Sequence, residues 1–162
     1  MDLLEAKDAA LSYLKISNAE IMKWFRTDVT VETKPDQSPV TIADHKAEEV
    51  LRNKISKAYP NHGIIGEEFG EDSSKSEWVW TIDPIDGTRS FIRGLPVFAS
   101  LIALLRKGEP VMGIISLPAL CETAWAIKGE GAYCGSQRLL VSEHNIIKGS
   151  FVGTADLYCF KE

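Results

Sequence analysis

Apolar side chains recur every three or four residues in two stretches of the chain, which is the spacing of one face of an α-helix. The first stretch covers residues 2–26 and includes Leu11 and Leu14. The second covers residues 41–58, and Pro60 follows it, where a proline ends a helix. We therefore predict two helices whose apolar faces are packed in the core.

Short apolar and β-branched runs, separated by turn residues, predict strands in much of the remaining chain. The candidate strands are residues 29–33, 63–66, 78–82, 97–106, 111–117, 122–128, 129–133, 137–142 and 151–154. Proline, glycine and small polar residues predict loops after Lys34 and over 71–77, and a hairpin turn over 107–110. Strands that follow two helices are typical of an α+β layered protein, which is the fold class we predict.

Two aspartates three residues apart follow the candidate strand 78–82, and we expect them to end it. After Asp83 and Asp86, Gly87 permits a tight turn, because it has no Cβ to clash at positive φ. Thr88 and Ser90 are suitable N-cap residues for a short helix. Carboxylates bind hard cations such as Mg²⁺, and free amides at a helix start bind anions. The stretch is therefore either a phosphate-ester site or an ordinary aspartate-rich turn.

Composition narrows the class of protein. The chain has 162 residues, a net charge of −5 and a pI of about 5.3. A nucleic-acid partner requires a basic surface, so we expect no nucleic acid as a partner. The longest apolar run, residues 95–105, is too short to cross a bilayer, so we expect no membrane partner.

The cysteines and the N-terminus suggest a compartment. Cys121, Cys134 and Cys159 are odd in number and have no paired spacing, so neither a disulfide framework nor a zinc site is indicated. We expect reduced, mostly buried thiols. The first residues lack a basic region followed by an apolar run, so we expect no signal peptide and a cytoplasmic protein.

Three segments together resemble one enzyme family. Asp-Pro-Ile-Asp-Gly-Thr at 83–88, followed by x-x-Phe, resembles the first signature of the inositol monophosphatase family of Mg²⁺-dependent phosphatases. The segment 34–44, Lys-x-Asp-x-Ser-Pro-Val-Thr-x-Ala-Asp, is similar to another part of that family. Gly-Glu-Glu at 66–68 occupies the matching place before the signature. Without the resemblance, Asp44 is a first-turn helix charge, Lys34 is a solvated loop charge, and 66–68 is an exposed acidic turn.

The resemblance implies a layered αβαβα sugar-phosphatase fold made of two lobes. We expect residues 1–149 to form the N-terminal metal- and phosphate-binding lobe. Residues 150–162 are expected to be only the start of a truncated C-terminal lobe. The second family signature, Trp-Asp-x-x-Ala-Gly, supplies a further metal-binding aspartate and does not occur in this sequence.

The resemblance also implies a set of metal ligands. Glu67, Asp83 and the backbone carbonyl of Ile85 would bind one Mg²⁺. Asp83 and Asp86 would bind a second Mg²⁺ together with the aspartate of the C-terminal lobe. Glu68 is a lesser candidate for the same role.

The remaining implied roles concern phosphate and water. The amides of Gly87 and Thr88, with Asp86, would bind the substrate phosphate. Thr88 hydrogen-bonded to Asp44 would orient or deprotonate the attacking water, and with Glu67 these residues form the implied catalytic set.

The resemblance implies a phosphoric monoester hydrolase that uses metal-activated water on a small phosphate ester, and a homodimer as its assembly. Residues 89–98, the apolar stretch 100–105 and Thr-Ile-Ala-Asp at 41–44 look more like the histidinol-phosphate phosphatases of the family than the inositol enzymes. Histidinol phosphate is therefore favoured, with inositol monophosphate next. The alternative is a weakly active or inactive lobe that acts as a dimerising or regulatory module.

Overall fold

The computed structural model describes residues 1–34, 39–72, 76–151 and 153. The helices of this part are α1 (Leu3–Met22), α2 (Ile42–Ala58) and α3 (Thr88–Ile92). Its strands are β1 (Val31–Thr33), β2 (Pro39–Thr41), β3 (Gly63–Gly66), β4 (Gly70–Asp72), β5 (Trp78–Asp86), β6 (Ala99–Arg106), β7 (Glu109–Leu117), β8 (Glu122–Ile127), β9 (Gly131–Cys134) and β10 (Gln137–Leu139). The predicted α+β class is confirmed.

Eight of these strands form one sheet in the order β10-β9-β8-β7-β6-β5-β3-β4, and β1 pairs with β2 separately. Neighbours in the large sheet are antiparallel, except that β3 and β5 are parallel. Gly66, the last residue of β3, pairs with Ile82 of β5, so Glu67 follows the end of β3 beside Asp83, which is still paired with β6. Ligand sites of α/β sheets form at such carboxyl ends of parallel strands.

The helices α1 and α2 lie on each other and against the middle of the sheet. The main cluster buries Leu14 and Leu51 of the helices against Trp80 and Leu104 of the strands. A second cluster joins Ile21 to the signature segment and contains Ala43, Ala47, Ile85, Phe91 and Phe98. The signature segment is therefore fixed on the core side by apolar packing. None of the helices in the described ranges is long and apolar enough to cross a membrane.

The end of β5 differs from the prediction. The strand continues past Asp83 to Asp86, with a shift of register between those two residues, where a β-bulge accommodates Pro84. Proline cannot donate a ladder hydrogen bond, but a bulge does not require one. The helix that follows is capped by Gly87 rather than by Thr88 or Ser90.

Smaller differences occur at element ends. The first helix ends at Met22 and is followed by turns, and the last described strand ends at Leu139 rather than at 142. Part of the predicted 71–77 loop belongs to β4, which pairs with β3. The expectation of buried thiols is wrong for Cys121, which is exposed, and Cys134 is half-buried; both are free thiols.

Some expectations fall on residues outside the described ranges. These are most of the loop predicted after Lys34, residues 73–75 of the 71–77 loop, and Cys159. The candidate strand 151–154 is described only at Phe151 and Gly153, which are not in a strand.

Candidate active site

The first turn of α2 presents a buried carboxylate. Thr41 is the N-cap of α2, and Asp44 completes a capping box by accepting hydrogen bonds from the Thr41 amide (2.8 Å) and hydroxyl (2.6 Å) through Oδ2. Asp44 is 2% exposed. Burial raises the pKa of Asp44, and the hydrogen bonds from Thr41 oppose that rise without cancelling it. Asp44 is thus more basic than an exposed aspartate, and its Oδ1 is not used by the capping box.

The hydroxyl of Thr88 faces that second oxygen. Thr88 Oγ1 donates to the Ile85 carbonyl at 3.1 Å and lies 3.5 Å from Asp44 Oδ1. The two predicted partners, 44 residues apart in sequence, are therefore brought together, although the shorter contact of the hydroxyl is to Ile85. The Ile85 carbonyl keeps a second lone pair for another partner.

A left-handed glycine connects the bulge to α3. Gly87 has φ +89°, and a Cβ there would lie 3.3 Å from the Val97 carbonyl oxygen. Its own carbonyl accepts hydrogen bonds from the amides of Ser90 (2.8 Å) and Phe91 (3.1 Å). The first amides of a helix have no acceptor within the helix, so the Gly87–Thr88 turn directs donors away from α3.

Asp83 lies in an environment that disfavours its negative charge. It accepts a hydrogen bond from the Ile85 amide at 3.1 Å, in an Asx-type turn. Burial, the charge of Glu67 and a hydrogen bond shared with Glu67, and then the charge of Asp86, raise the pKa of Asp83 to about 8. The structure therefore brings the three predicted acidic ligands into electrostatic contact.

A lysine that sequence reasoning left as a solvated charge lies at this site. Lys34 Nζ is 2.8 Å from Glu67 Oε1 and 2.7 Å from Glu68 Oε1, and its side chain is 19% exposed. Burial lowers the pKa of Lys34, but hydrogen bonds to Glu67 and Glu68 outweigh it and raise the pKa overall. Burial raises the pKa of Glu68, although Lys34 opposes this. The match of segment 34–44 to the family was the signal that could have identified Lys34.

Two further polar residues near Glu67 had no sequence signal. Glu48 and Arg52, one turn apart on α2, form an ion pair with Nε 2.8 Å from Oε1. Both contact the segment that carries Glu67. Helical spacing predicted only the apolar face of α2 and did not indicate that its polar side faces the acidic segment.

The donor set fits a hard divalent cation. The candidate ligands are all oxygens, namely the carboxylates of Glu67, Asp83 and Asp86 and the Ile85 carbonyl, and Mg²⁺ prefers such ligands. Burial and the charges of Glu67 and Asp86 raise the pKa of Asp83, so a positive charge bound here would be favoured. Across the described ranges, no group of three or more acidic, histidine or cysteine side chains already forms a cage for a metal. Glu67 is directed to Lys34 instead.

Fold and site together define a class of protein: a phosphatase-type α+β domain with an acidic cluster beside a glycine turn at the edge of a sheet. The profile of the inositol monophosphatase family matches residues 2–157, and the chain belongs to that family. The family is generally metal-dependent.

The relatives that match this chain include proteins named histidinol-phosphatase and proteins named inositol monophosphatase. The chain is 47% identical over 106 residues to a histidinol-phosphatase of Mycobacterium tuberculosis, which covers 65% of this chain and 41% of that protein. It is 36% identical over 129 residues to an inositol-1-monophosphatase of Rhizobium meliloti, and this match covers 78% of this chain and 48% of that protein. The solved IMPase of Thermotoga maritima superposes with a TM-score of 0.80 at 35% identity, and the match covers 86% of this chain and 54% of that protein. The chain thus spans about half the length of the relatives it matches.

Proposed function

We propose that this chain carries the metal- and phosphate-binding part of a Mg²⁺-dependent phosphomonoesterase that hydrolyses a small phosphate ester. The observation that carries the proposal is the placement of Asp83 next to Glu67 and Asp86, beside the left-handed turn at Gly87, where burial and the neighbouring carboxylates raise the pKa of Asp83. Such a cluster opposes folding as it stands, so a bound cation explains it better than a structural role does.

Glu67, Asp83, Asp86 and the Ile85 carbonyl would hold the ion. When bound, Mg²⁺ supplies positive charge to the phosphoryl oxygens and lowers the pKa of a bound water. To hold the ion, Asp83 would have to be deprotonated, and Glu67 would exchange its contact with Lys34 for the ion.

Asp44 and Thr88 would act on the attacking water. Thr88 Oγ1 can donate to Asp44 Oδ1 and accept from water, so the pair can orient the water and remove its proton. The raised pKa of Asp44 brings this group closer to neutral pH, where a general base is more effective. The buried Thr41 contacts hold Asp44 in one orientation throughout.

The turn at Gly87 would bind the phosphate. Its amide and that of Thr88 precede the hydrogen-bonded part of α3, and a phosphate there could also approach metal held by Asp86. The bound ion and the backbone amides would thus contact the same ester, and both would stabilise negative charge on its phosphoryl oxygens.

The substrate we favour is histidinol phosphate, with inositol monophosphate next. Support comes from the higher identity to the mycobacterial histidinol-phosphatase than to the rhizobial inositol enzyme. The homodimer remains a prediction.

Phosphate release tests the proposal. The complete polypeptide of this reading frame should release phosphate from one or both esters in Mg²⁺ and not in EDTA, and Asp83→Asn should abolish release. Asp8→Asn is the matched control, because Asp8 lies exposed on α1. No Mg²⁺-dependent release from either ester would favour a module that acts by association.

A further inference from the structure

The segment that carries Glu67 is held by a buried carboxylate on α2. Glu48 is 0% exposed. Its Oε2 accepts from the Glu68 amide at 2.7 Å, and its Oε1 accepts from the Phe69 amide at 3.1 Å. The two amides immediately after Glu67 are therefore fixed to one side chain, 20 residues earlier in the sequence.

Arg52 fixes the same carboxylate from the other side. Its Nε donates to Glu48 Oε1 at 2.8 Å, and its Nη2 donates to the Gly70 carbonyl. The Arg52 guanidinium also lies 5.9 Å from the centre of the Phe69 ring. The pair therefore contacts the β3–β4 turn at Glu68 and Phe69 and the first residue of β4, Gly70.

Gly66 allows this approach. A Cβ at Gly66 would lie 2.0 Å from Glu48 Oε1 and 2.8 Å from Arg52 Nη2, so any side chain would displace the carboxylate. The glycine of Gly-Glu-Glu is thus explained by close packing against α2, since its φ is not in the left-handed region.

We infer that Glu48, supported by Arg52, is a positioning residue that sets the backbone of residues 66–70 so that Glu67 reaches Asp83. The inference rests on the proposed function for the identity of the cation. The same helix carries Asp44 one turn earlier, so α2 aligns the water-orienting carboxylate with the metal ligand. Glu48 itself touches neither substrate nor metal.

Glu48→Gln tests the inference, because it keeps the size of the side chain but removes one of two accepting oxygens. In metal-free protein, the Glu68 or Phe69 amide should exchange faster with solvent. Mg²⁺ affinity by calorimetry should fall about 10- to 100-fold, as for partners that orient a ligand from outside the coordination shell. Saturating Mg²⁺ should restore most of kcat, which a role in the chemical step would not allow. Glu49→Gln, exposed on the next position of α2, is the control.

Unchanged exchange of both amides, or wild-type Mg²⁺ affinity, would overturn the positioning role. Wild-type protein that binds no Mg²⁺ would instead overturn the proposed function, and the exchange data would still decide whether Glu48 holds the segment. If Glu48→Gln does not fold, Arg52→Lys carries the same test, because lysine cannot contact Glu48 and Gly70 with one planar group. A several-fold loss of Mg²⁺ affinity in Arg52→Lys would support the positioning role, and an unchanged affinity would overturn it.

Discussion

Glu48 and Asp83 both lie next to the segment 66–70, and their surroundings are opposite in kind. Glu48 accepts hydrogen bonds from two amides and one guanidinium. Asp83 accepts one amide hydrogen bond and faces Glu67 and Asp86. A buried carboxylate with enough hydrogen-bond donors stabilises the fold. The negative charge of a carboxylate placed among other carboxylates is disfavoured unless a positive charge lies nearby. The contrast distinguishes an acid that the fold itself pairs with donors from one that we propose as a metal ligand.

Asp44 is intermediate between these two. It is hydrogen-bonded by Thr41, yet burial still raises its pKa. One oxygen serves the capping box while the other faces Thr88. This division suits a group that must stay in place and still accept a proton.

The largest expected effect concerns the Asp44–Thr88 pair. In the complete enzyme, Asp44→Asn and Thr88→Ala should each lower kcat by about 10²- to 10⁴-fold and change KM only a few-fold, because the pair acts on the nucleophile. The double variant should be little worse than either single one. Steady-state kinetics on histidinol phosphate and inositol 1-phosphate measures this.

Thr88→Ser is the control for that series, since it keeps the hydroxyl and should retain most activity. Losses that multiply in the double variant would show that the two groups act independently. A near-normal rate for Asp44→Asn would leave Asp44 as a helix-capping residue alone.

The next effect is on metal affinity. Asp83→Asn should weaken Mg²⁺ binding by more than roughly 100-fold, beyond the loss typical of partners outside the coordination shell. Asp86→Asn should weaken it as well. Isothermal titration of each variant against Asp8→Asn checks both, and unchanged binding in Asp83→Asn would remove it from the ligand set.

Substitutions at Glu48 and Asp83 should change the stability of the metal-free protein in opposite directions. In EDTA, Glu48→Gln should lower the free energy of unfolding by about 1–3 kcal/mol, because it leaves a buried donor without its charged acceptor. Asp83→Asn should raise the melting temperature, since it removes repulsion with Glu67 and Asp86. Thermal unfolding of both variants decides whether the contrast is real, and a clear loss of stability in Asp83→Asn would give that residue a structural role.

The smallest effect is a pH dependence of the metal-free protein. The folded pKa of Asp83, about 8, exceeds its ordinary value of 3.8, so the folded state binds the proton more tightly than the unfolded state. This group therefore lowers stability progressively as pH rises from about 4 to about 8, and its cost is complete above that range. The melting-temperature difference between Asp83→Asn and wild type in EDTA should grow from pH 5 to pH 8. A constant difference would contradict the raised pKa of Asp83.

Local patterns along the chain predicted much of the fold and supplied the candidate acids of the site. Helical spacing identified α1 and α2, and apolar runs between turn residues identified most strands of the sheet. The spacing of Asp83, Asp86 and Gly87 indicated a cation site next to an anion site. These features depend on neighbours within a few residues, so a sequence displays them directly.

Long-range pairing decided the rest. The parallel register of β3 and β5 puts Glu67 beside Asp83, and the bulge at Pro84 carries β5 through to Asp86. Lys34 reaches Glu68 across 34 residues of sequence, and Glu48 reaches the Glu68 amide across 20. No periodicity marks such partners, because an ion pair or a buried hydrogen bond depends on where two distant backbones meet. The sequence determined which acids are available, and the tertiary structure decided which of them are hydrogen-bonded by backbone amides, as Glu48 is, and which face other carboxylates, as Asp83 does.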